Sequence, residues 1–267
     1  MSDRGSGTDP LLVEPAVTLQ FHPDFPHQGR MVIEALAATG RYRSQFVTGI
    51  SNGGLTAHPG GDRWRWESRL FAGRYDSGPA EERPVYGAWN RRGDPYGGAA
   101  RFGSAYLQLR PAVVDRTTFC FPDSVFEPAD HGGPELLPRL CVLADRATDL
   151  DHLDDAVEAQ VHGPVVLAHD VEAIVLDPCF AGSPVAASAA GLGCPVRYHP
   201  GFRVATADLD PSYRGAEYVE LALSLGPVLT PDLVGRAART GRHDLQSLKR
   251  VWHYLARFGR TEPTTAS

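Results

Sequence analysis

Residues 157–162 alternate strictly between two kinds of side chain. Val157, Ala159 and Val161 occupy one parity, and Glu158, Gln160 and His162 the other. A helix would scatter these six residues around its circumference. An extended strand gathers them into one apolar face and one polar face. Three polar side chains in a row on one strand face have two explanations: a water-facing edge strand, or the floor of a site. Aliphatic runs at 165–167 and 171–176 predict two more strands close by, so a sheet dominates the middle of the chain.

The same period recurs near the start, where Val17, Leu19 and Phe21 alternate up to His22 and Pro23 breaks the pattern. His22 therefore ends the first strand. Further strands are predicted at 43–48, at 106–109, at 117–121 beyond the turn at Pro111, and at 195–198. Helical spacing appears at 31–38, stopped by Gly40, and at 185–192. Three more helices follow, at 216–225, at 231–239 behind a Thr230 N-cap, and at 245–258 before Gly259. On the last helix, Leu248, Val251, Trp252 and Leu255 share a face that docks on the rest of the chain. The expected architecture is a mixed α/β (α+β) fold in which a strongly curved, partly split sheet spans 16–205. A helical extension packs on it over 206–260, and residues 1–15 and 261–267 form disordered ends.

Composition narrows what such a chain does. The 28 glycines and 22 prolines in 267 residues call for many turns and long loops. The longest, at 49–92, carries Trp64, Trp66 and Phe71 on a short helix, and an ordered loop of that length tends to hold a site. A net charge of −6 gives no general attraction to nucleic acid or to an anionic membrane, so any phosphate binding is local. Cys120, Cys141, Cys179 and Cys194 form no C-x-x-C pair and read as reduced thiols. No apolar run spans a bilayer and the N-terminus has no hydrophobic signal segment, so the expected compartment is the cytoplasm, with signal-independent export left open.

Glu158 and the aliphatic segment 165–175 resemble the ADP-ribosyltransferase superfamily, in which a catalytic glutamate opens a late strand and a second aliphatic strand follows a short turn. The run Leu19-Gln20-Phe21-His22, the helix at 31–38 and Gly40 are similar to the histidine-type branch. Tyr86-Gly87, Arg101 to Ser104, and the stretch from Arg116 through Asp123-Ser124 look like transferase domains of phage capsid and polymorphic-toxin proteins. From Val17 to Gly259 the chain also resembles an uncharacterised bacterial family through Tyr42-Arg43-Ser44-Gln45-Phe46, Thr48-Gly49-Ile50 and Ser51-Asn52-Gly53-Gly54.

The superfamily resemblance implies NAD as substrate, ADP-ribosyl transfer or NAD glycohydrolysis as the reaction, and a toxin-like setting with a cognate immunity or antitoxin protein as partner. It implies no membrane partner. The acceptor, whether protein, nucleic acid or small molecule, stays open. Glu158 would stabilise the oxocarbenium character that develops on the ribose as the glycosidic bond breaks. His22 would position the dinucleotide, and Arg43, Thr48 and Ser51 would bind ribose or phosphate oxygens. Tyr86, Arg101 and Ser104 join them as cofactor-binding candidates. Gln160 could hold an acceptor. Ala156 stands where arginine-modifying transferases carry Gln or Glu, which disfavours an arginine acceptor.

Two other classes compete. His22, Asp24, His27, Asp123, His162, His169, Asp170, Asp177 and His199 offer enough imidazole and carboxylate for a metal-dependent hydrolase, although no spacing is diagnostic. A protein of this fold could also bind NAD or another nucleotide without turnover.

Overall fold

In the computed structural model, which describes residues 15–49 and 56–262, the alternating segment is one of eight strands in a single hydrogen-bonded sheet. In chain order they are β1 (Val17–Phe21), β2 (Val85–Trp89), β3 (Ala105–Leu109), β4 (Thr117–Cys120), β5 (His131–Gly132), β6 (Val157–Val161), β7 (Val171–Leu176) and β8 (Val196–Tyr198). Their order across the sheet is β8-β7-β3-β1-β2-β6-β4-β5. Every pair is antiparallel except β7 with β8, so the sheet is mixed. The sheet is unbroken in strand order, but β1 and β2 pair over only two residues, Val17 with Trp89 and Thr18 with Ala88, whereas β2 and β6 pair over five, so Thr18, Ala88 and Glu158 share one row.

That register decides which side chains share a face. Val17, Leu19, Phe21, Phe119, Val157, Ala159 and Val161 point into one hydrophobic core. Over them lie α1 (Val32–Thr39), α3 (Leu137–Arg146) and α4 (Pro184–Ala190), which contribute Ile33, Leu36, Leu140, Val185 and Ala189. Helix α1 stops as expected, at Gly40 in the left-handed region with φ 63°. The opposite face carries Thr18, Gln20, Tyr86, Thr118, Cys120, Glu158 and Gln160. It does not meet water as an edge strand would: Thr18 and Gln160 are fully buried.

The polar face is covered by α2 (Asp62–Leu70), which is the helix expected for the tryptophans, and by α7 (Leu245–Phe258). Helix α7 belongs to a second core with α5 (Ala216–Leu225) and α6 (Pro231–Arg239), and Phe25, Tyr96 and Ala100 from the first half of the chain enter the same core. Leu248, Val251, Trp252 and Leu255 are buried in it, as their spacing predicts, and the Trp252 indole N–H donates to the carbonyls of Ala100 and Arg101. The C-terminal helices are therefore tied directly to the loop before β3.

Several segments differ from expectation. Val85–Trp89, read as part of the long loop at 49–92, is the central strand β2, its apolar pattern interrupted by Gly87, and Leu137–Arg146, where no helix was expected, is α3. The predicted strand at 43–48 is instead a short pairing at Arg41–Tyr42 followed by a helical turn, Gln45–Thr48. Gly49 closes that turn at φ 65°, and the Thr48 hydroxyl donates to the Ser44 carbonyl, so local hydrogen bonding outcompetes the β-branched pattern. The predicted strand at 165–167 shortens to Val165–Val166 and gives way to the turn Leu167–Asp170, where the Asp170 carboxylate accepts from the Val166 N–H. Of the ends expected to be disordered, 1–15 and 261–267, residues 1–14 and 263–267 lie outside the described residues, as does the glycine turn through Ser51, whereas Thr261 is tied down: its N–H donates to the Gly201 carbonyl and its hydroxyl to the Pro200 carbonyl. Among the described residues no helix is long and apolar enough to cross a membrane.

Candidate functional site

Between the polar face of the sheet and helices α2 and α7 lies a cleft of about 390 Å³ with Glu158 on its floor. Helix α2 contributes Arg63 and Trp66 to one wall, one turn apart. Helix α7 contributes Gln246, Lys249, Arg250 and His253 to another, at the spacing that places four residues on one helical stripe. Asp123, Val125 and Phe126 form the rim beyond β4, and Arg101 and Phe102 the side nearest β3. A second cleft of about 310 Å³ runs beside α1, and Tyr42, Gln45 and Tyr86 line both.

Glu158 is held by a directional chain of hydrogen bonds. Its Oε1 accepts from Gln160 Nε2 at 2.8 Å and its Oε2 from the Ser124 hydroxyl at 3.1 Å. Gln160 Oε1 accepts in turn from the Thr118 hydroxyl at 2.9 Å. Because that hydroxyl donates to Gln160, its oxygen is left to accept from His162 Nε2–H at 2.9 Å, and His162 Nδ1 then accepts from the Tyr75 hydroxyl at 2.6 Å. Every donor points toward Glu158, so each bond polarises the next. His162 is neutral in this arrangement. Burial, reinforced by Arg74, His131 and Arg116, lowers its pKa to about 4.

The electrostatics of the floor follow from burial. Desolvation, then the charge of Asp123, raises the Glu158 pKa to about 7, against the opposing pull of Arg63 and the bonds from Gln160 and Ser124. Burial and then Glu158 push the Cys120 thiol far up, so it stays protonated beside the carboxyl and is no nucleophile. On α7, burial, then neighbouring cations, lowers His253 to about 2, and burial, opposed by Asp244, lowers Lys249 to about 8.

Helix α2 is anchored to the sheet by a buried ion pair. Arg83 Nη1 lies 2.6 Å from Glu67 Oε2, with both side chains almost fully buried, and the Tyr86 hydroxyl donates to Glu67 Oε1 at 3.1 Å. The Arg63 guanidinium packs over the Tyr86 ring at 4.5 Å and the Trp66 ring at 5.1 Å.

The sequence candidates divide among these places. Glu158, Tyr86 and Arg101 line the main cleft, with Arg101 paired to Asp154. His22, Arg43 and Thr48 line the neighbouring cleft. His22 does end β1, but it is buried between Phe25, stacked at 4.2 Å, and the edge of Trp252 at 4.9 Å. Burial, with Lys249 adding to it, lowers its pKa to about 3, so His22 acts as a neutral ring and not as a cation for phosphate.

Gln160 does not face an acceptor. It sits behind Glu158 with its amide committed to Glu158, Cys120 and Thr118. Ser104 is buried at the start of β3, away from both clefts, because its position before Ala105 turns it inward. Ser51 is outside the described residues. Among the described residues, no three His, Cys, Asp or Glu side chains converge as metal ligands; of the nine candidates His199 and Asp177 meet, with Nε2 3.9 Å from Oδ2, as a pair.

Sequence reasoning missed Arg63, Lys249, Arg250 and His253 as site residues, and named Asp123 only in the transferase-like stretch and as a metal-ligand candidate. The signal for the α7 group was present as the stripe 246, 249, 250, 253 beside the apolar one. That α7 folds back over β6 is a tertiary fact.

A family model described as "Protein of unknown function (DUF3626)" matches residues 16–144 and 138–258, most of the chain. The chain belongs to this family. The two matched stretches take in every strand of the sheet, both helices over the polar face and all of the cleft-lining residues named above. No curated protein matches the chain.

Proposed function

We propose that the main cleft binds NAD and cleaves its nicotinamide–ribose bond, passing ADP-ribose to an acceptor or to water, with Glu158 as the carboxylate that stabilises the developing charge. The observation that carries this reading is a single buried carboxyl, fixed by two donors at the floor of a cleft with aromatic and cationic walls. The C1′–N bond breaks and its electron pair moves to the nicotinamide nitrogen, which neutralises the ring. The sugar takes on oxocarbenium character, and an acceptor oxygen or nitrogen, or water, bonds to C1′ and loses its proton.

A carboxylate beside C1′ and the 2′-hydroxyl stabilises that charge best in a dry site, where Coulomb interactions are strong. Glu158 is half protonated near neutral pH in the empty cleft. The cationic nicotinamide of NAD favours its ionised form, so binding releases a proton and charges the carboxyl in the complex that needs it. Gln160 and Ser124 keep both oxygens aimed and remove rotational freedom from the side chain. Ala156 lines the same cleft and offers no second carboxyl or amide for a guanidinium acceptor.

The test is incubation of the purified protein with NAD and quantification of released nicotinamide by chromatography, with and without candidate acceptors. Release by the wild type, and its loss in Glu158→Ala, is expected. Wild-type turnover retained in Glu158→Ala, or no turnover by the wild type, overturns the proposal.

A further inference from the structure

Arg63 stands out among the cleft residues. Its residue is only 8% exposed, its guanidinium packs against the rings of Tyr86 and Trp66, and its Nε and Nη1 have no hydrogen-bond partner among the described residues. Buried guanidinium N–H groups are almost always satisfied, and unpartnered ones on a cleft-lining side chain are donors without an acceptor. The ring stacking holds the fork in one plane and one orientation, which suits planar or bidentate recognition of oxyanions.

Across the cleft, α7 presents Lys249 and Arg250, and Arg101 closes the side. Four cations therefore line a space that holds two carboxyls, Glu158 and Asp123; Arg101 is paired outside it with Asp154, which leaves Arg63, Lys249 and Arg250 against those two, in a chain whose overall charge is −6. Positive charge is concentrated here against the net sign of the molecule, and low-dielectric walls strengthen its pull on an anion. The rim adds Phe126, 55% exposed, beside Trp66, and both offer flat apolar surface to a base.

We propose that Arg63 on α2, opposed by Lys249 and Arg250 on α7, forms the phosphate subsite of the cleft and takes a nucleoside diphosphate. The subsite deepens the NAD reading by naming the residues that hold the pyrophosphate, and for those residues it rests on that reading. They differ from Arg43, Thr48 and Ser51, and they come from two elements that approach each other only over the sheet. The terminal helix is thus a binding element as well as a brace. A diphosphate fits better than a single carboxylate, because its charge matches several cations and its oxygens can reach both walls.

Calorimetric titration of the full chain with ADP, inorganic pyrophosphate and adenosine tests this directly. ADP should bind at least tenfold more tightly than adenosine, pyrophosphate should compete with ADP, and ADP affinity should fall as salt rises. Arg63→Met should weaken ADP at least tenfold and Arg250→Gln severalfold. Arg146→Gln, on α3 beneath the other face of the sheet, removes the same charge and should leave ADP affinity unchanged.

Circular dichroism reports whether Arg63→Met folds; if it does not, Arg250→Gln and Arg63→Lys carry the comparison. Equal affinity for ADP and adenosine, or folded Arg63→Met or Arg250→Gln binding ADP like the wild type, overturns the subsite. ADP binding that depends on Arg63 without any release of nicotinamide from NAD keeps the subsite and sinks the reaction. NAD turnover with an unchanged KM in Arg63→Met does the reverse.

Discussion

Replacing Glu158 with glutamine should stabilise the protein at alkaline pH and leave it nearly unchanged under acid. Burial and Asp123 lift this carboxyl to about 7 in the folded chain, from an unfolded value of 4.5. Its folded-state pKa is raised, so the contribution of the protonated group is fully present below about pH 4.5. It is lost as pH climbs between 4.5 and 7, where the unfolded chain gives up the proton and the folded one keeps it. A difference of roughly 2.5 units, at about 1.4 kcal/mol each, makes the charged group cost about 3–4 kcal/mol above pH 7.

Glutamine has the shape of the protonated acid and carries no such cost, and Ser124, Gln160 and Cys120 can exchange donor and acceptor roles with its amide. With an unfolding entropy of about 2.1 cal/mol/K per residue, 267 residues give about 0.56 kcal/mol/K, so about 3–4 kcal/mol corresponds to a Tm about 6 °C higher. The assay is thermal unfolding of both proteins from about pH 4 to 8. Asp24, buried and raised to about 6 although Arg239 pulls it back, adds a slope of the same sign to both proteins and cancels in the difference. A wild-type-minus-variant difference that stays flat across this range, or a Glu158→Gln protein less stable than wild type at pH 8, would refute the reasoning.

The proposed reaction would carry its own pH dependence: with the ionised Glu158 carboxylate as its working form, kcat/KM for NAD should rise about tenfold per unit below pH 7 and level off above it. A pH-rate profile that is flat from 5 to 8 contradicts that assignment. Gln160→Ala removes one charge-assisted hydrogen bond of about 1.5–3 kcal/mol and should lower kcat roughly ten- to hundredfold with little change in KM; steady-state kinetics checks the split. Trp252→Ala empties a buried site and breaks the bonds to Ala100 and Arg101, at a cost of about 3–5 kcal/mol in chemical denaturation. Gly87→Ala would place a Cβ 2.4 Å from the Thr18 carbonyl oxygen, forcing β1 from β2 beside the cleft and destabilising by about 1–3 kcal/mol in the same assay.

The secondary structure was largely legible from periodicity. Period two gave β1, β3, β4, β6 and β7 within a residue or two, and glycine stops and proline starts marked the helices at 32–39, 216–225, 231–239 and 245–258. Two elements went unread, β2, whose apolar pattern Gly87 interrupts, and α3, and the other failures were local. At 43–48 a β-branched pattern yielded to a Ser44–Thr48 hydrogen bond and a left-handed Gly49, interactions that hydrophobic periodicity does not register.

The site was only half legible. Parity alone placed Glu158, Gln160 and His162 on one face, because strand geometry links residues two apart whatever the fold around them. Parity carries no information about what covers that face. Only the tertiary structure distinguished a buried floor from a wet edge, put Gln160 behind Glu158 instead of before it, and enclosed His22 between Phe25 and Trp252. It also brought Arg63 and Lys249, 186 positions apart, to opposite walls of one cleft. The physical reason is range: alternation, caps and turns act over a few residues, whereas a cleft is made where two helices far apart in sequence bury different faces against the same sheet.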